Sequence, residues 1–118
     1  MIIQFRGLRT GREYATPLRY LAHGGLIYSF SNRDTKWWRN LEGETLIRLK
    51  VQGNEGPYIA HTVLDGATIR PMLLRMLKAF PQDAGFHGLT LDSEGEPDER
   101  EFENTLMVTV MVIAKSLN

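Results

Sequence analysis

The chain contains no cysteine, which excludes disulfides, thiolate metal ligands and a cysteine nucleophile together. Histidine is scarce as well. His23, His61 and His87 stand far apart in unlike settings, and no pair has metal-ligand spacing, so no metal is expected. No stretch approaches the roughly 20 apolar residues that span a bilayer. The apolar run in Met1-Ile2-Ile3-Gln4-Phe5-Arg6 ends too soon for a signal peptide. A cytoplasmic protein without integral membrane association is therefore expected. Ser29 and Ser31 lack the signature of an activated nucleophile, and no residue stands out as a catalytic acid or base. Any catalysis has to be carried by a bound organic cofactor.

Net charge is also missing, since 14 Lys and Arg balance 14 Asp and Glu. The balance is not local. Residues 1–60 carry nine cations against five anions, and residues 61–118 carry five against nine. The first half favours an anionic partner, and the acidic second half disfavours nucleic acid. With 118 residues, 42% of them hydrophobic and 24% charged, the composition suits one globular domain over residues 1–118.

The pattern along the chain is mainly that of strands. Met1 to Leu8 reads as a first strand and Arg9 to Glu13 as a turn. Tyr14 to Ala22 reads as an extended segment in which Pro17 argues for an edge, bulge or bend. Gly24-Gly25 predicts a hairpin. In the returning strand, Leu26 to Ser31, Leu26, Tyr28 and Phe30 share one face and Ile27, Ser29 and Ser31 the other. A short helix is expected over Lys36 to Leu41, capped by Asp34 or Thr35. Strands follow over Thr45 to Gln52 and, after a turn at Asn54-Glu55-Gly56, over Tyr58 to Leu64.

Ile69, Met72, Leu73, Met76, Leu77 and Phe80 form the apolar stripe of a helix from Asp65 to Phe80. Pro71 should then fall in its first turn. Residues 82–98 read as a loop, Asp98 to Asn104 as a possible short acidic helix, and Leu106 to Ala114 as a final strand with two apolar faces. Such a strand should be covered on both sides. The fold class expected is mainly β (α+β): a split β-barrel of about six mostly antiparallel strands, one packed helix over a barrel opening, and short accessory helices.

Two clusters carry chemistry. In Gly7-Leu8-Arg9-Thr10-Gly11-Arg12, a glycine-flanked turn should expose backbone N–H groups beside a hydroxyl and two guanidinium forks suited to phosphate. In Ser31-Asn32-Arg33-Asp34-Thr35-Lys36-Trp37-Trp38, a strand end and helix start gather amides, hydroxyls and two cations, which favours an anion. Trp38 is expected to anchor the core, and Trp37 to face a ligand.

The succession Gly7-Leu8-Arg9-Thr10-Gly11, Thr16-Pro17-Leu18-Arg19-Tyr20, Tyr28-Ser29-Phe30-Ser31 and Lys36-Trp37-Trp38-Arg39-Asn40-Leu41 resembles the deazaflavin (F420)-dependent nitroreductase family. These are small split β-barrels related to the pyridoxamine-phosphate-oxidase-like flavin-binding proteins. The resemblance covers roughly residues 5–64. It implies an F420 cofactor, with FMN as the alternative, and hydride transfer to a small activated acceptor such as a quinone, enone or nitro compound. It also implies a cofactor site made of Arg9, Thr10, Gly11, Arg12, Thr16, Pro17, Leu18, Ser31, Asn32, Arg33, Lys36 and Trp37, with Arg9 on the phosphate tail. Leu8 and Tyr14 stand where the family has arginines, with Arg12 and Arg19 as the compensating candidates. The family also implies a homodimer, whose second subunit would wall the pocket.

Overall fold

The structure is a computed structural model that describes residues 1–41 and 43–118. Among the described residues there are seven strands: β1 (Ile2–Arg6), β2 (Glu13–Pro17), β3 (Leu21–His23), β4 (Leu26–Asn32), β5 (Thr45–Val51), β6 (Asn54–Val63) and β7 (Thr109–Ser116). They form one sheet in the order β2-β1-β5-β6-β7-β4-β3, and all its pairings are antiparallel. Two helices, α1 (Gly66–Ala79) and α2 (Glu99–Val108), complete an α+β split barrel.

The seventh strand comes from Pro17. The extended segment expected from Tyr14 to Ala22, with an edge, bulge or bend at Pro17, divides into β2 and β3, which are the two opposite edges of the sheet. Proline ends β2, and the next residues turn from one edge to the other. The Leu18 N–H donates to the Met1 carbonyl at 2.9 Å, and the Ser29 hydroxyl donates to the Arg19 carbonyl at 3.1 Å. Leu18 to Tyr20 thus joins the two edges covalently, so neither offers a long free ladder.

The two-residue period sorts side chains into two cores. Ile3, Phe5, Ile47, Leu49, Ala60, Val112 and Ala114 fill the inside of the curl together with Leu41. On the other face, Tyr28, Phe30 and Met111 meet Ile69, Leu73, Met76 and Leu77 of α1 and Phe102 and Leu106 of α2. The last strand is covered on both faces, as its two apolar sides required. Helix α1 lies on this outer face; Leu41, rather than that helix, closes the inner core.

Four boundaries differ from the sequence pattern for physical reasons. The β5–β6 turn sits at Gln52-Gly53, both at positive φ (51° and 82°), so Asn54 to Gly56 pair as strand. Pro71 is the sixth residue of α1 rather than in its first turn. It is exposed, on the solvent side of the helix. The acidic helix runs on to Val108 and takes Leu106 to Val108 from the expected strand. Its cap is Asp98, whose side chain accepts the Glu101 N–H at 3.0 Å. Phe102, Thr105 and Leu106 give its buried face. Finally, the segment 82–98 is not wholly irregular. Short 3-10 helices occupy Pro81–Asp83 and Gly85–His87.

Candidate functional site

The β1–β2 turn is built to hold Arg9 outward. Gly7 donates to the Arg12 carbonyl at 2.8 Å and Gly11 donates to the Gly7 carbonyl at 2.9 Å, while Gly11 adopts φ 68°. The Arg12 N–H donates to the Thr10 hydroxyl oxygen at 3.2 Å, and that oxygen lies 3.3 Å from the Tyr14 hydroxyl. Three of the six amides of the turn, those of Gly7, Gly11 and Arg12, are therefore satisfied within it, and the Thr10 hydroxyl faces into the turn. The Arg9 and Arg12 side chains are exposed and have no hydrogen-bonded or ionic partner among the described residues.

This turn is tied to the second cluster by one side chain. The Leu8 N–H donates to Asn40 Oδ1 at 2.9 Å, and Asn40 Nδ2 donates to the Trp37 carbonyl at 2.8 Å. The two sequence motifs, over thirty residues apart, thus form one surface. The helix expected over Lys36 to Leu41 is a 3-10 piece, Trp37–Leu41, and Asp34 and Thr35, expected as its caps, lie in a preceding 3-10 piece, Arg33–Thr35, set off by Lys36 at φ 64°. A lysine in the left-handed region is uncommon and strained. Pieces this short lack the aligned peptide dipoles of a full helix start, so anion attraction here falls to the side-chain cations. Asn32 caps the first piece, accepting the Asp34 N–H at 2.9 Å, while Thr35 donates to the Asn32 carbonyl at 2.8 Å.

The tryptophans divide their tasks. Trp38 is buried and donates from Nε1 to the Arg33 carbonyl at 2.9 Å. Trp37 is half-buried, its ring 5.8 Å from that of Phe5, at the border of the inner core.

A cavity of about 370 Å³ opens beside this surface. Pro17, Leu18, Ser31, Asn32 and Thr35 form one wall; Met76, Gln82, Asp83, Phe86 and His87 form the other. Thr35 lies in its lining and precedes Lys36 in the chain, while Trp37 packs toward the inner core. Thr16 does not line this cavity. The Arg33 guanidinium is engaged elsewhere, donating to the Thr109 carbonyl at 3.0 Å and the Leu64 carbonyl at 2.6 Å. It ties the ends of three strands together. Arg19, a candidate to replace a missing phosphate ligand, instead holds Asp83 through two bonds of 2.7 and 3.1 Å and lies over the Phe80 ring. That pairing keeps the Asp83 carboxyl below its ordinary range. Burial lowers the His87 pKa from the ordinary 6.5, partly opposed by Asp83.

The wall from Gln82 to His87 was absent from the sequence-based site. Its only local signal was a lone histidine in a glycine-containing loop. Among the described residues, no group of three or more potential metal ligands is found, and no helix is long and apolar enough to cross a membrane.

The curled antiparallel sheet, with its cationic turn docked on a Trp-bearing segment, is that of a split β-barrel protein. Residues 1–83 match the model of the F420H(2)-dependent quinone reductase family. The chain belongs to that family, whose cofactor is F420. No curated protein matches the chain. The match ends at Asp83, so α2 and β7 lie outside it. The residues present fit such a cofactor: an anionic tail needs cations, and the side chains of Arg9, Arg12 and Lys36 have no ionic partner among the described residues. A flat ring needs apolar surface, which Pro17, Leu18, Phe30, Met76 and Phe86 offer in a lining that also carries polar groups able to orient it, Ser31 and Asn32 among them.

Proposed function

We propose that this protein binds reduced F420 in the cavity between Pro17-Leu18 and Ser31-Asn32 and reduces a small quinone. The observation carrying this reading is the Leu8–Asn40 hydrogen bond, because it joins the cationic turn to the Trp-bearing segment, which follows Thr35 of the cavity lining in the chain. When bound, the cofactor supplies a hydride. The chain's own residues bind, orient and exclude water. Arg9, Arg12 and Lys36 attract the phosphorylated tail, and Trp37 with Gly11 borders its path. Leu18, Phe30 and Met76 press the ring from the apolar side, while Ser31 and Asn32 fix its orientation. Thr10 and Thr16 support the turn and β2 rather than touching the ring, and Arg33 braces the strand ends.

Enones and nitro compounds are proposed as further acceptors, since they share with quinones an electron-poor double bond beside oxygen. A cytoplasmic setting and a homodimer are proposed likewise. Leu46 on the outer face of β5 is 64% exposed and supplies apolar surface for pairing. Mixing the protein anaerobically with reduced F420 and 1,4-naphthoquinone tests the activity. Oxidation of the cofactor at a rate proportional to protein is expected. Absence of turnover with quinone, enone and nitroaromatic alike contradicts the reductase reading.

A further inference from the structure

We propose that His87 delivers the proton to the quinone oxygen, with the acceptor ring lying in a second cavity that His87 shares with the cofactor cavity. The inference rests on the function proposed above. The second cavity has a volume of about 670 Å³ and lies between the Gly85–His87 turn and α2. Ser31, Asn32, Phe86 and His87 line both cavities, so the two cavities adjoin along these residues.

The main chain that carries the imidazole is held in place: the His87 backbone N–H donates to the Ala84 carbonyl at 3.0 Å, and the Thr105 hydroxyl donates to the His87 backbone carbonyl at 2.8 Å. The Phe86 ring stands edge-on to the imidazole at 5.4 Å. Phe86 itself is 84% exposed, an aromatic wall with no packing role in the free chain. Among the described residues, neither ring nitrogen of His87 has a protein hydrogen-bond partner, although the residue is half-buried.

The other polar groups of this cavity are less suited to giving a proton. Glu101 is held as an acceptor by the Thr90 N–H and hydroxyl. Ser31, Asn32, Asn104 and Thr105 do not ionise in the working range. The charged groups facing His87 are Asp83, with Arg19 on it, from one side and Glu101 from α2. Asp83 favours the imidazolium, and burial opposes it. Once the quinone has taken a hydride, one oxygen carries a negative charge. An imidazolium N–H bond then breaks and an O–H bond forms, giving the hydroquinone and a neutral imidazole that regains its proton from water.

Because the donor is the imidazolium and burial lowers its pKa, kcat should fall as pH rises through a value below 6.5. Two measurements test this. In the protein without cofactor, NMR of the histidine rings during addition of 1,4-naphthoquinone should shift His87 and leave His23 and His61 unmoved. In the F420-dependent assay, His87→Gln should lose about 100-fold in kcat and the falling pH limb, with KM for the quinone little changed. A His87 signal unmoved by saturating quinone, or a His87→Gln enzyme with the wild-type pH profile, overturns the inference. If the protein does not bind F420, the functional reading fails by itself, and the NMR titration still decides the cavity assignment.

Discussion

Asn40→Ala removes the side chain that joins the cationic turn to the Trp-bearing segment. Two hydrogen bonds disappear, from the Leu8 N–H and to the Trp37 carbonyl. Both lie near the surface, so water replaces part of each, and the expected loss is about 1–2 kcal/mol. For 118 residues, an unfolding entropy of about 2.1 cal/mol/K per residue makes 1 kcal/mol worth roughly 4 °C in melting temperature. Circular dichroism should therefore show a drop of about 4–8 °C. Arg9→Ala deletes an exposed cation and should leave the melting temperature within about 2 °C. Both variants should weaken F420 binding, by loss of position in one and loss of charge in the other. The double variant should then weaken binding by less than the sum of the two, because a misplaced turn no longer presents Arg9. If Asn40→Ala melts earlier yet binds F420 as tightly as the native chain, the bridge does not position the tail site.

Gly7→Ala should destabilise by about 1–3 kcal/mol. A Cβ there would lie 2.7 Å from Tyr14 Cε2 and 3.0 Å from the Thr10 hydroxyl, displacing the Tyr14 ring stacked on Phe5 at 5.6 Å; an unchanged melting temperature contradicts this. Phe102→Ala should cost about 3–5 kcal/mol in urea unfolding, since this fully buried ring joins α2 to the outer core. A loss below about 1 kcal/mol would mean that α2 is not part of the cooperative fold.

Alternation and turns made much of the barrel legible. Ile47, Leu49 and Val51, the Gly24-Gly25 hairpin and the two faces of β4 follow from local chemistry, and each was found. What the sequence hid came from distance. Pro17 announced a break, but only the folded chain shows that the halves on either side of it become opposite edges of the sheet. Val108 favours strands in isolation, yet the Asp98 cap and the Phe102–Leu106 face extend the helix through Met107 to it. The first wall of the cavity, Pro17 to Asn32, lies within motifs that turn residues mark out. The second wall, Gln82 to His87, is delivered by α1 from more than fifty residues away, and no local period encodes it. Arg33 and Arg19 show the converse: both read as anion ligands, and the fold commits both to partners within the chain.

The central claim is that cations at two chain bends act on one phosphorylated deazaflavin. Its most direct test is a fluorescence titration of F420 with the purified protein, run beside riboflavin phosphate. Saturable F420 quenching with a Kd on the order of 10 µM or tighter, weakened about tenfold by Arg9→Ala, is the predicted result. Tight binding of riboflavin phosphate with no response from F420 would contradict it.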